Sequence, residues 1–439
     1  MDRRLAVLCF LMGIAMMIVA FPEGFVAAAT VLLCSLIVIF IIRQQFKEDA
    51  NFFIQLFLVA LIARLTFGLS IHFYDLYEFF GGDSITYDWI GNRLVEIWFG
   101  YTIESDFIRQ RTSRSYSGWG MYYVVAGIYS ITGKNILAAQ SFCAVIGAAT
   151  VPMVYTCAHK IFNNQRVGKI SALLVALYPA FIIWSGQLLK DGLIIFLLVL
   201  AITLVLRLQE KFRLFDVLLL VFSLFGIISL RFYIFYMAAL AIVGAFVIGT
   251  SNSPQAIMRR ISALVVIGVG LTYFGVMRDS GSDIEEYTNL ERIQLSRQDL
   301  ARSAESGYGE DLDVSTTEGA LAALPIGLTY LMLAPFPWQM TNWRQALTLP
   351  EVFLWWASIP FLLSGLWYTI KNRLRSSIPI LVFSLMLTLA YSLFLGNIGT
   401  AYRQRTQIQV FLFMFIAVGW TLWQERSENK NLLQKAKRR

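Results

Sequence analysis

Charge is scarce in this sequence: only 15% of its 439 residues are Asp, Glu, Lys or Arg, whereas 57% are hydrophobic, and the mean hydropathy is +0.64. A soluble domain of ordinary composition carries about 25% charged residues, so a soluble enzyme is excluded. Histidine is nearly missing. With only His72 and His159, a multi-histidine metal centre and a histidine base are both disfavoured. The four cysteines, Cys9, Cys34, Cys143 and Cys157, lie in apolar runs without C-x-x-C spacing, and encode neither a disulfide framework nor a zinc site. An internal repeat of the kind that builds many transporters is also lacking.

What the sequence has is a succession of apolar runs long enough to cross a bilayer. They lie near residues 5 to 21, 24 to 42, 52 to 71, 135 to 157, 168 to 186, 192 to 208, 214 to 230, 232 to 249, 261 to 277, 350 to 370, 377 to 395 and 407 to 423. The expected fold class is therefore all-α and polytopic, with about 12 transmembrane helices; a membrane β-barrel would show short alternating segments instead. The opening "MDRRLAVLCFLMGIAMMIVAFPEG" has the basic and apolar regions of a signal peptide but no A-x-A type cleavage site, and reads as a retained first span. Two further runs, 118 to 133 and 320 to 338, are respectively short and interrupted by Pro325, Pro335 and Pro337. Both are expected to stay on the outer side as juxtamembrane or re-entrant pieces.

With those two kept out of the count, the basic segments "HKIFNNQRVGK", "RLQEKFR", "KNRLR" and the tail "ERSENKNLLQKAKRR" fall on one side. The positive-inside rule makes that side cytoplasmic, with both termini there. The net charge of +8 is then an orientation signal in a plasma (inner) membrane protein, and nucleic acid is not implied as a partner. Four parts follow: residues 1–51 with two N-terminal spans, a core at 52–277 whose first outer loop is 72–134, an outer loop at 278–349, and a C-terminal part at 350–439. The larger loops lie on the outer face, where chemistry is expected. Within 278–349, a polar acidic stretch carries one expected helix near 284 to 304, and the proline-rich segment with Trp338 and Trp343 suits a bent interfacial hairpin.

At the exit of the third span stands "FFGGDSITYDWIGNRL" at 79 to 94. After Gly81-Gly82, Ile85, Trp89, Leu94, Ile97 and Trp98 fall roughly along one side of an interfacial helix. Asp83 or Ser84 is expected to cap its N-terminus, and Asp88 to be a helix-surface residue. A carboxylate held there is also placed to take a proton from a nucleophile attacking a lipid-borne substrate.

The stretch "GGDSITYDWIGNRL" resembles the first outer loop of the GT-C glycosyltransferases, in particular the glycosyltransferase-39 and lipid A aminoarabinose transferase-like group, in which an Asp followed four residues later by Tyr begins an interfacial helix. Asp83 and Tyr87 keep that spacing. The order from "GWGMYYVVAGIYSITGKN" to "SGQLLKD" is similar to the family pattern of juxtamembrane helix, span, basic turn, second span and second-loop acid, here Asp191. The resemblance covers roughly residues 52 to 210. It implies a membrane enzyme that moves a sugar from a polyprenyl (undecaprenyl) phosphate carrier to a glycan, lipid or protein acceptor, with inversion and with Asp83 as the catalytic carboxylate. It also admits a divalent cation, Mg or Mn, shared by Asp83 and Asp191; Ser84, standing where family members commonly carry a second acid, removes one ligand.

A phosphate leaving group calls for cationic donors at the membrane surface. Lys190, Arg231 and the pair Arg403 and Arg405 in "TAYRQR" are the candidates, with Tyr233 beside Arg231 as a supporting residue like Tyr87. Arg64, about seven residues inside the third span, is expected to meet a partner such as Asp75 or Glu78, or a substrate phosphate. Arg109, Arg111 and Arg114 read as a solvated basic strip. Two other readings stay open: an O-antigen type polymerase or ligase, and a lipid-linked sugar flippase or transporter.

Overall fold

The computed structural model describes residues 3–80, 82–248, 253–274, 276, 289–302, 306–340 and 343–437. The chain folds as helices throughout; an isolated bridge pairs Gly307 with Asn397. Among the described residues eight helices are long and apolar enough to cross a membrane, or nine if the pair Gln165–Leu177 and Pro179–Ser185, bent by 56°, is one span. That is fewer than the twelve expected. Runs 214 to 230 and 232 to 249 become the helices Leu214–Leu230 and Phe232–Ile248, each of 17 residues. Seventeen residues rise about 25 Å, short of about 30 Å of hydrocarbon. The run at 118 to 133 becomes Trp119–Thr132, a 14-residue helix, shorter still. The segment expected to bend as a hairpin runs as the helix Thr317–Leu333, with Pro325 inside it, followed by the 3-10 turn Pro337–Gln339. Of the helix expected near 284 to 304, Leu290–Arg302 is present; residues 277–288 and 303–305, like Gly81 and the Trp343 side chain, lie outside the described set.

Two compact units divide the chain: one of Met1–Val154, Ala172–Ala201 and Phe222–Phe235, the other of Tyr155–Ser171, Ile202–Val221 and Tyr236–Arg439. In the first, the core surrounds Arg64, 1% exposed on the helix Ala50–Phe73. Its partners are not the acids that the sequence suggested. Nε donates to Ser185 Oγ at 2.8 Å, Nη1 to the carbonyls of Ala60 (2.9 Å) and Ala176 (3.4 Å), and Nη2 to the Val175 carbonyl at 3.3 Å. The cause is Pro179, which starts the helix Pro179–Ser185 and has no N–H to offer the carbonyl four residues earlier, that of Val175. The orphaned C-terminal end of Gln165–Leu177 carries partial negative charge, and the guanidinium of Arg64 meets it. Small residues let the chains close around this point: a Cβ on Gly147 would stand 2.5 Å from Ser185 Cβ.

The second unit repeats the device. Pro335 and Pro337 deprive the carbonyls of Leu331 and Leu333 of their helical donors. Arg405, fully buried, donates Nη1 to the carbonyls of Leu331 (3.4 Å), Met332 (3.1 Å) and Ala334 (2.9 Å), while Trp355 and Trp356 donate Nε1 to Met332 (2.6 Å) and Leu333 (3.1 Å). The helix Ile398–Lys437 therefore has a polar buried start in which Tyr402 donates to Glu351 at 2.6 Å and Tyr391 to Gln407 at 2.5 Å. Its apolar window is 83% buried, against 17% for Glu23–Phe46, whose apolar surface is left for lipid.

Candidate functional site

The loop 72–134 folds into the helices Asp83–Trp98, Asp106–Thr112 and Trp119–Thr132, of which the first and the last pack together. Asp83–Trp98 buries Tyr87, Ile90, Gly91 and Leu94, a stripe at helical spacing, against Trp119–Thr132. Close approach is required here, because a Cβ on Gly91 would lie 2.5 Å from Val125 Cγ1. Ile85, Trp89 and Trp98 stay exposed as the sequence suggested, whereas Leu94, expected on the same side, is buried. The pair is fixed at its far end by Asp88, which is not a simple surface residue: it accepts from Tyr129 Oη at 2.5 Å and pairs with Lys134 at 3.5 Å. Burial, then the hydrogen bond to Asp88 and that carboxylate's charge, hold the Tyr129 phenol well above its ordinary range.

Gly82, in the left-handed region at φ 65°, is the N-cap of Asp83–Trp98 and offers no side-chain cap; Asp83 is the first helical residue. The capping role expected of Asp83 or Ser84 is thus not used. Asp83 contributes instead as a first-turn acid, favourable at the positive end of the helix. One turn on, Tyr87 packs against Tyr122, with ring centroids 5.6 Å apart. The field of Asp83 reaches that same phenol: burial and then Tyr116 raise the Tyr122 pKa, Arg111 opposes them through charge and a hydrogen bond, and Asp83 adds a further rise. Arg111 also donates to Tyr116 Oη and lies over the rings of Phe107 and Tyr116, 5.3 and 4.7 Å from their centroids. The basic strip therefore divides. Arg109 is largely exposed and pairs with Glu104 (3.2 Å) and Asp106 (3.5 Å), whereas Arg111 is drawn into the loop. Sequence reading missed Tyr116, Tyr122 and the role of Arg111; the one available signal was the density of Tyr around "RQRTSRSYSGWGMYY".

The start of Trp119–Thr132 joins this loop to the cations. Gly118 precedes it at φ 91°, and a Cβ there would stand 2.7 Å from Lys190 Nζ and 3.5 Å from the Leu230 carbonyl. Lys190 and Asp191 open the helix Lys190–Glu210. Arg231 lies immediately before Phe232–Ile248. Asp191, fully buried, and Arg231, 8% exposed, are 3.7 Å apart, and Arg231 Cζ lies 5.8 Å from the Tyr233 ring centroid. Helix N-termini at 119, 190 and 232 thus meet Lys190 and Arg231 in one region, and each helix start adds partial positive charge. Gly118→Ala is expected to cost about 1–3 kcal/mol in backbone strain and to push the Lys190 ammonium aside. A lowered melting transition of the detergent-solubilised protein, still monodisperse, is the expected measurement.

Arg403 and Arg405 belong to the other compact unit. Arg403 is half-buried, and Arg405 closes a helix end as described, which gives it a structural duty that the sequence did not foretell. As for a divalent cation, among the described residues no group of three or more His, Cys, Asp or Glu side chains is placed to hold one, and the Asp191 carboxylate already faces a guanidinium. Mg or Mn takes six oxygens but draws as few as one or two of them from carboxylates; of the expected pair, Asp191 is the one turned to a guanidinium.

Residues 118–277 match the family model described as dolichyl-phosphate-mannose-protein mannosyltransferase. The match holds Lys190, Asp191, Arg231 and Tyr233, and begins at Gly118, beyond Asp83. No curated protein matches the sequence. Among solved structures, the archaeal oligosaccharyltransferase AglB from Archaeoglobus fulgidus, in complex with an inhibitory peptide and a dolichol-phosphate, is similar with a TM-score of 0.42 and 13% identity, covering 73% of this chain and 44% of that one. The chain thus spans less than half the length of that protein.

Proposed function

We propose that the protein is an inverting membrane glycosyltransferase that takes a sugar from a polyprenyl phosphate carrier on the outer face of the membrane. The observation that carries this reading is the meeting of Lys190, Arg231 and helix starts at 119, 190 and 232 inside the family-matched segment, on the same packed helix pair that holds Asp83. Positive charge gathered this way suits a phosphate that gains charge as its bond to the sugar breaks.

In the reaction proposed, the acceptor hydroxyl gives its proton to the Asp83 carboxylate as its oxygen forms a bond to the anomeric carbon. The bond from that carbon to the phosphate oxygen breaks on the opposite face, and the carrier leaves as a phosphate monoester beside Lys190 and Arg231. Asp191 is assigned the task of holding Arg231, with Tyr233 beneath the guanidinium. Arg405 is assigned a structural task in its own unit, the closing of a helix end.

The test uses the full chain in proteoliposomes with a radiolabelled sugar on a polyprenyl monophosphate or diphosphate. Release of the label from the monophosphate carrier into a non-carrier product is expected. Turnover of the diphosphate alone would point to a polymerase or ligase, and passage of intact carrier across the bilayer without bond cleavage would point to a flippase.

A further inference from the structure

We infer that Arg111, Tyr116 and Tyr122 form an anion subsite beside Asp83 that takes an acidic group, carboxylate or phosphate, carried by the acceptor. This rests on the reading of Asp83 as the base of the acceptor site. Tyr116 Oη accepts from Arg111, and Arg111 acts on the neighbouring Tyr122 phenol through charge and hydrogen bonding that oppose the rise of its pKa. A hydroxyl that accepts through a lone pair keeps its own proton to donate. The cluster therefore presents phenol O–H groups and the remaining guanidinium N–H groups, all donors.

Its charge also lacks the usual local answer. Arg109, two residues away, is met by Glu104 and Asp106, whereas the partners of Arg111 among the described residues are phenol hydroxyls and aromatic rings. Held against the Phe107 and Tyr116 rings, the guanidinium is fixed in direction, and its planar fork matches a carboxylate or phosphate better than a neutral hydroxyl. Asp83, whose field reaches Tyr122, repels an anion from its own side. The two ends then sort one molecule: acidic group toward Arg111, reacting hydroxyl toward Asp83.

Saturation-transfer NMR on the full chain in nanodiscs tests this, with D-glucuronate, glucose 6-phosphate and glucose as probes. At least one charged probe is expected to give a signal several-fold above glucose, and which of the two does so separates a uronate-type acceptor from a phosphorylated one. Arg111→Gln is expected to bring that signal down to the glucose level, Arg111→Lys to an intermediate one, and Arg109→Gln, where the charge removed is already met by Glu104 and Asp106, to leave it in place. Equal signals for glucose and both charged probes, persistence in Arg111→Gln, or loss in Arg109→Gln instead would overturn the subsite. Where Arg111→Gln does not insert, Tyr122→Phe decides: the ring packing stays, one donor goes, and an undiminished signal counts against the inference. Because binding is read without turnover, Asp83→Asn protein that still takes the charged probe separates this subsite from the assignment of the base.

Discussion

Asp83→Asn is expected to lower sugar transfer by roughly 10²- to 10⁴-fold, the usual contribution of a general base, with little change in the thermal unfolding of the detergent-solubilised protein. Asn has the size of Asp and keeps the hydrogen-bonding oxygen, so Tyr87 can still pack on Tyr122 and Gly82 still caps the helix. The structural loss is one acidic charge in the first turn, about 0.3–1 kcal/mol at a helix N-terminus. The chemical loss is the group proposed to receive the acceptor proton. Rate and stability should therefore part company: kcat falls, and the KM for the lipid donor, which the proposal assigns to Lys190 and Arg231, stays near the native value. Full transfer by Asp83→Asn at equal protein level would remove Asp83 from the mechanism.

The reverse pattern is expected at Asp191. Removing it as Asp191→Ala leaves Arg231 buried without its carboxylate, and breaking one partner of a buried ion pair costs about 3–5 kcal/mol. The melting transition should fall sharply and transfer should fall with it. At 3.7 Å the pair is linked by charge more than by a hydrogen bond, whose N···O distance is about 2.7–3.2 Å. Asp191→Asn, which removes charge but not shape, should then be nearly as harmful as Asp191→Ala. The double variant Asp191→Asn/Arg231→Gln should recover part of the stability and none of the transfer. A double variant as unstable as Asp191→Asn alone would show that the two side chains do not act as a pair.

How much of this was legible in the sequence depends on whether the forces involved leave a mark in local composition. Apolar runs do, so the all-helical membrane character and most helix positions could be read directly, and the G-G-D turn marked the exit of the third helix. Lengths were less legible. Runs 214 to 230 and 232 to 249 look like full spans in hydropathy, yet they are 17-residue helices. The partners of Arg64 and Arg405 could not be read, because most of them are backbone carbonyls at helix ends where prolines 179 and 335 interrupt the ladder, and a carbonyl has no residue letter. Nor could the Arg111 cluster, because Tyr116 reaches Arg111 and Tyr122 reaches Tyr87 only once the loop has folded. Asp88 failed for the same reason, its partners Tyr129 and Lys134 being 41 and 46 positions along the chain.

The carbonyl-bound arginines also set a limit on what acid can do to the fold. A backbone carbonyl does not titrate, so the clasps at Val175 and Ala176 and at Leu331, Met332 and Ala334 are indifferent to protons across the range in which carboxylates in general gain them. A membrane face that turns acidic leaves both of these helix ends held.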